Sequence, residues 1–285
     1  MASAFRIDNL CFNYPGSKED VIKGISFEVR EGEVFGLLGP SGAGKSTTQK
    51  IMIKLLENYS GEVSYFGRNL KDINKSFYEE VGVGFEMPVH FSKMTGLENM
   101  EFFSGFYKKH TNYKDLMERV GLWEYRNVMV GNYSKGMKVR LNFVRAMLNN
   151  PRVLFLDEVT NGLDPINARI IKEIITEYRN QGGTVFLSTH LMNDVEQLCD
   201  VIAFCVNGKL HEISTPRELK LKYGKRDIEI EYKESGITRK EVFLLDGIGN
   251  NEDFQYIIRN KEIETIHSGE TSMEEIFIIV TGGAL

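Results

Sequence analysis

Gly39-Pro40-Ser41-Gly42-Ala43-Gly44-Lys45-Ser46-Thr47 fits the pattern G-x-x-x-x-G-K-[S/T]. Glycines in such a stretch let the backbone curl until successive N–H groups point at one spot, which suits a phosphate. A helix starting behind the loop aims its positive end at the same spot. Lys45 then adds a mobile cation for the outer phosphates, and the Ser46 hydroxyl is placed for Mg²⁺. A glycine-rich turn between strand and helix is the bland alternative, and the flanking sequence weakens it. Val34-Phe35-Gly36-Leu37-Leu38 reads as a buried strand leading in, and Ile51, Met52, Leu55 and Leu56 recur behind the loop at helical spacing. Strand, loop and helix in that order predict an α/β nucleotide-binding core.

The chain has 285 residues, enough for one large domain or a large one with a small companion. Its 42% hydrophobic and 26% charged content is that of an ordinary globular protein, and a formal net charge of -5 argues against nucleic-acid binding by bulk charge. Cys11, Cys199 and Cys205 are an odd number without metal-ligand spacing; Cys199 and Cys205 sit in apolar surroundings and are expected to pack as small hydrophobes in a reducing compartment. The N-terminal residues lack the apolar core of a signal peptide, and no uncharged apolar run is long enough to cross a bilayer. A cytoplasmic protein is expected, whose work at a membrane goes through a partner.

Residues 5–30 read as two or three strands joined by a turn at Tyr14-Pro15-Gly16-Ser17. Ile25-Ser26-Phe27-Glu28-Val29 alternates apolar and polar, as a half-exposed antiparallel strand does. By position alone Tyr14 reads as packing, although it could stack on a base, with Phe12 as a rival. Strands are also predicted at 61–67 and 81–85. From Thr95 to Asn150 the texture turns helical, with segments at 96–107, 113–120 and 135–149, the last capped by Ser134. A helical insert, about 87–150, splitting a sheet domain is the simplest description.

Arg152-Val153-Leu154-Phe155-Leu156-Asp157-Glu158 has the continuous apolar run of a buried parallel strand, with two acids at its carboxyl end. Ligands of open α/β sheets sit at that end, so beside an upstream phosphate loop these acids read as the Mg²⁺ side of a P-loop ATPase rather than as a solvated loop start. Asn161-Gly162-Leu163-Asp164-Pro165 turns into a helix with Asp164 as cap and Pro165 at its first position. Thr184–Ser188 is a further strand. It is followed by His190, which read alone is a structural histidine, and Asn207-Gly208 signals a hairpin. Beyond Thr215 the pattern changes to short alternating strands and amphipathic helices, a small α+β appendage over 215–285.

Tyr133-Ser134-Lys135-Gly136-Met137, placed just ahead of Val153–Glu158 and far behind the phosphate loop, resembles the signature segment of the nucleotide-binding subunit of ABC transporters. The S-K-G-M form resembles exporter-type cassettes for drugs, sodium or bacteriocins, and the order of motifs matches over Phe5 to Glu212. The resemblance implies a P-loop NTPase core over 1–214, an antiparallel β subdomain and an inserted helical one. It also implies ATP and Mg²⁺ as ligands. By position, Tyr14 would stack on adenine; Gly39, Pro40, Ser41, Gly42, Ala43, Gly44, Lys45, Ser46 and Thr47 would wrap the phosphates. Asp157 would hold Mg²⁺ through water, with Ser46 and Glu86 as further metal contacts. Glu158 would act as general base and His190 would touch the terminal phosphate. Ser134 and Gly136 would serve ATP held by a second cassette, with Asn161 to Asp164 coupling the halves of the dimer.

Three departures stand out. Glu86 replaces the family's glutamine, Lys135 and Met137 replace glycine and glutamine in the signature, and Val159 replaces the proline that usually follows the base. The expected partners are a membrane-spanning permease subunit and a second cassette, with no nucleic acid. The permease subunit is expected to dock near Met87–Phe103, where Phe91, Met94, Phe102 and Phe103 are candidate contacts. A non-transport ABC ATPase acting on ribosomes or DNA is the alternative, but a single cassette without coiled-coil heptads fits it poorly. A P-loop kinase or GTPase would leave the S-K-G-M segment and His190 without a role.

Overall fold

The computed structural model describes residues 2–17, 19–87, 89–224 and 226–283. It divides into two compact units, one running to Thr215 and the other over Pro216–Gly283.

In the first unit β1 (Ser3–Phe12) and β2 (Ile22–Arg30) pair antiparallel, and with β4 (Ser60–Tyr65) and β5 (Arg68–Asn69) they form a four-stranded sheet in the order β2-β1-β4-β5. In β2 the residues Ile22, Ile25, Phe27 and Val29 are buried and their polar neighbours exposed, the alternation of a strand with one wet face. Between them in sequence lie β3 (Val34–Leu38), the loop 39–44 and α1 (Lys45–Met52). After β5 come the short α2 (Phe77–Glu80) and β6 (Val81–Gly84). Three helices follow: α3 (Gly96–Ser104), α4 (Tyr113–Arg119) and α5 (Lys135–Ala146). The chain re-enters the sheet at β7 (Val153–Asp157), then runs through α6 (Pro165–Asn180), β8 (Thr184–Thr189), α7 (Met192–Leu198), β9 (Val201–Val206) and β10 (Lys209–Ser214).

The second sheet has the order β10-β9-β3-β8-β7-β6, parallel except for β10. β3, β7 and β8 are buried at every position, which is why they read as unbroken apolar runs rather than alternating ones. The two sheets share one core. Phe27 of β2 stacks on Phe35 of β3 with ring centroids 5.1 Å apart, and Phe5 of β1 meets Phe155 of β7 edge-on at 5.5 Å. Register sets the site: Leu38 pairs with Thr189, Asp157 with Ser188, and Gly84 with Leu156. Four strands therefore end at one level.

Helix ends follow local chemistry. Ser134 Oγ accepts from Met137 N–H at 3.2 Å to start α5, and Asp164 accepts from the N–H groups of Ile166 and Asn167 to start α6. Two helices are shorter than their apolar periodicity predicts. α3 stops at Ser104, before Gly105, and α5 stops at Ala146 rather than Asn149. The reason at the second is tertiary. Asn149 Nδ2 faces three carbonyls at the approach to β6: Tyr78, Glu79 and Val81, the last at 2.8 Å.

The second unit contains α8 (Pro216–Tyr223), β11 (Arg226–Glu234), β12 (Ile237–Leu244), α9 (Glu252–Asn260), β13 (Glu262–Glu270) and α10 (Met273–Thr281). Its three strands form an antiparallel sheet in the order β12-β11-β13, with a small core of Ile230, Tyr232, Phe243 and Ile257.

Replacing Asn149 by alanine leaves three carbonyls short of a donor. Urea unfolding of Asn149→Ala should show a loss of about 1–3 kcal/mol; an unchanged midpoint would contradict that role.

Candidate active site

The loop between β3 and α1 curls because Gly42 and Gly44 take left-handed backbone, φ 82° and 104°. Its underside is pressed on β9. A Cβ on Gly39 would come within 1.9 Å of the Cys205 carbonyl oxygen, whereas one on Gly42 would meet nothing within 4 Å. Cys205 Sγ lies 3.1 Å from Ala43 O, which also accepts the Gly208 N–H at 3.1 Å. The cysteine that composition suggested was mere filler thus supports the loop from beneath, and burial pushes its thiol up to about 11. Lys45 Nζ donates to Gly39 O (2.7 Å) and Pro40 O (3.0 Å), so the ammonium is held against the loop it starts from. Burial lowers its pKa, and the carboxylates of Glu158 and Asp157 act in the opposite direction. Ser46 is half-buried and Thr47 buried in the first turn of α1. Tyr14 lies beside that turn, its hydroxyl 3.2 Å from Thr47 Oγ1 and its ring edge-on to Phe12 at 4.9 Å.

At the end of β7, Ser188 Oγ donates to Asp157, and the same hydroxyl oxygen lies 3.1 Å from Gln49 Oε1 of α1. Glu158 has φ 51°, a left-handed conformation that an ordinary side chain adopts at a cost of about 1–2 kcal/mol. Its N–H bonds to Ser188 O at 2.9 Å. Its carboxylate, 7% exposed, is fully engaged from β8 onward: Thr189 Oγ1 reaches Oε2 at 3.1 Å, while the backbone N–H (3.0 Å) and Nδ1–H (2.7 Å) of His190 both reach Oε1. The imidazole is itself half exposed, so it can face the strand-end crevice while tethered to the acid. Glu86 is exposed just past β6, the strand beside β7.

The start of α5 lies near the loop after Glu158. A Cβ on Gly136 would be 3.5 Å from Leu163, and one on Gly162 (φ 80°) would be 2.9 Å from Lys135 Cε. Lys135 therefore lays its stem across Gly162, and Ser134 remains exposed at the tip of the helix.

Residues 22–161 match the family model described as ABC transporter, and residues 226–270 match the one described as fluoroquinolone efflux ABC transporter C-terminal domain. The fluoroquinolones export ATP-binding protein of Mycobacterium tuberculosis is 43% identical over 282 residues, 98% of this chain and 94% of that protein. The bacitracin transport ATP-binding protein of Enterococcus faecalis is 31% identical over 304 residues, 99% of this chain and 98% of that one. A solved ATP-binding subunit of an ABC transporter superposes with a TM-score of 0.71 at 27% identity, covering 78% of this chain and 93% of that chain.

The chain belongs to the ABC transporter family. It is an ABC-type ATPase, and its fold is the α/β cassette with an added antiparallel sheet. Within this ABC protein the phosphate loop, Asp157, Glu158 and His190 gather at the strand ends, while Ser134 and Gly136 stand on the helical side next to the loop 161–164. Sequence reasoning passed over Ser188, Thr189 and Gln49. Each is a small or neutral polar residue inside an element: only the pairing of β7 with β8 brings Ser188 to Asp157 and Thr189 to Glu158, and only the packing of α1 on β8 brings Gln49 to Ser188. No helix among the described residues is long and apolar enough to cross a membrane.

Because the atom facing Gly39 is backbone, a methyl there must displace the loop rather than a side chain. Gly39→Ala should lower ATP affinity by about tenfold or more in calorimetry, as displaced N–H groups miss the phosphates. Wild-type affinity would show that the loop tolerates the shift.

Proposed function

We propose that this ABC protein powers export, and that its cargo is a fluoroquinolone or a similarly flat aromatic drug. The observation that carries this reading is the 43% identity running end to end with a fluoroquinolones export ATP-binding protein. The appended unit supports it too, through its match to the efflux C-terminal domain. The runner-up, a cassette working on ribosomes or nucleic acid, gains no support from these relatives.

The site supports the following division of labour. Tyr14 stacks on adenine, and the loop 39–47 wraps the phosphates with its open N–H face while Lys45 leaves its two carbonyls for the outer phosphates. Ser46, Asp157 and Glu86 are oxygen donors of the kind a hard cation takes. Mg²⁺ bound there would neutralise phosphate charge. Glu158 takes the proton from the attacking water, and His190, hydrogen-bonded to that same carboxylate, holds it in place and contacts the terminal phosphate. Ser134 and Gly136 present a helix N-terminus to ATP on a second copy, so two cassettes close around two nucleotides. Loss of the terminal phosphate removes the bridge, and the halves part.

Coupling to a membrane subunit would use the aromatic patch on the insert. Phe91, Phe102, Phe103 and Phe106 form one cluster, Phe91 and Phe102 having centroids 4.8 Å apart and Phe106 being 66% exposed. Arg145 backs the patch, its guanidinium 4.8 Å from the Phe103 ring. A short amphipathic helix of the permease subunit fits such a surface. That docking would hold the cassette at the cytoplasmic face.

Co-expression with its membrane subunit tests the reading. Cells carrying the pair should accumulate less fluoroquinolone than cells carrying the Glu158→Gln variant with the same membrane subunit. Equal accumulation at equal expression would contradict export of this drug class.

A further inference from the structure

Behind the site lies a buried ion pair that the mechanism above leaves unused. Asp194, in the first turn of α7, and Lys172, on α6, meet at 2.6 Å with side chains only 8% and 14% exposed. The other oxygen of Asp194 accepts the hydroxyl of Thr160, itself buried. Thr160 follows Glu158 by two residues, and Asp194 follows His190 by four. Since His190 is bonded back to Glu158, the chain closes a ring from Glu158 through Thr160, Asp194 and His190 to Glu158 again.

Two further contacts stiffen the ring. Leu191 N–H bonds to Thr189 Oγ1 at 3.0 Å, and Asp194 N–H to Leu191 O at 3.1 Å, so the stretch from β8 into α7 is fixed turn by turn. On the other side Asn161 N–H reaches Glu158 O and Leu163 N–H reaches Thr160 O, so the loop 161–164 springs from the same residue. Packing alone gives little reason for ions here, because a buried ion pair is often no more stabilising than apolar residues of equal volume. What the pair supplies is a fixed acceptor for Thr160, placed where the segment carrying Glu158 meets the segment carrying His190.

We propose that Thr160 is a positioning residue for hydrolysis: through Asp194 it holds the Glu158 carboxylate and the His190 imidazole in one orientation, and it ties the loop 161–164 to both. The inference rests on the reading of Glu158 as general base. Lys172 serves as the counter-charge on one oxygen of Asp194 and leaves the other to accept from Thr160. Threonine at this position matters for its hydroxyl and not for its shape.

Steady-state ATPase of the purified full chain separates hydroxyl from shape. Thr160→Val keeps the volume and should lower kcat by about tenfold or more, with KM for ATP within about twofold of wild type, since the base is misplaced and the nucleotide is not. Thr160→Ser should recover most of the lost kcat. The double replacement Lys172→Met/Asp194→Leu removes both charges together, opens the ring from its far side and should show the same selective loss of kcat; it decides the matter if Thr160→Val does not fold. A folded Thr160→Val or double variant with wild-type kcat overturns the inference, as does a serine variant no better than valine. Glu158→Gln belongs in the same series. If it hydrolyses ATP normally, the base assignment falls and this inference with it; if it is inactive while Thr160→Val is not impaired, only the ring is wrong.

Discussion

A carboxylate taken out of water needs hydrogen bonds in return, and in this cassette that requirement organises the site. Glu158 is buried at the end of a parallel strand in a left-handed conformation, and its carboxylate is met by Thr189 and His190, from the neighbouring strand and its continuation. Asp157 beside it is met by Ser188. Those contacts exist only if β7 and β8 pair in the observed register, with Asp157 opposite Ser188. A shift of one residue would turn the acids to the other face and orphan them. The same register sets the phosphate loop, which follows β3 on the far side of β8, at the level of the two acids.

Two kinds of residue support the geometry, and they differ in how visible they are in the sequence. The loop 39–47 declares itself because glycine spacing, a strand before and a helix behind are all local. So do the apolar run ending in Asp157-Glu158 and the caps at Ser134 and Asp164, since each depends on neighbours within a few residues. Periodicity overextends α3 and α5, because it counts apolar positions and is blind to Gly105 and to the carbonyls that Asn149 must serve.

The less visible residues depend on contacts across the fold. Cys205 looks like a small hydrophobe until the loop is laid on β9 and its backbone carbonyl excludes any side chain at Gly39. Thr160, Lys172 and Asp194 fall on three different segments with no common spacing, so nothing local connects them. Lys135, in the sequence only a departure from the usual signature, proves to be packed over Gly162 of its own chain. Read alone, His190 is a structural histidine, and the family resemblance implies a phosphate contact. Its Nδ1–H on Glu158 adds a carboxylate partner that neither reading named.

Closure over the nucleotide is what the proposed pairing of two copies would supply. The phosphate loop and the two acids sit at the sheet ends, and the exposed Ser134 tip belongs to the helical side. In the proposed dimer a second copy lends its Ser134 tip to the ATP held by the first. Sedimentation of purified Glu158→Gln with and without saturating MgATP measures this directly. Nucleotide should convert monomer to dimer, and the added substitution Ser134→Arg should prevent it. A protein that stays monomeric at high concentration in MgATP, alone and with its membrane subunit, would contradict the account.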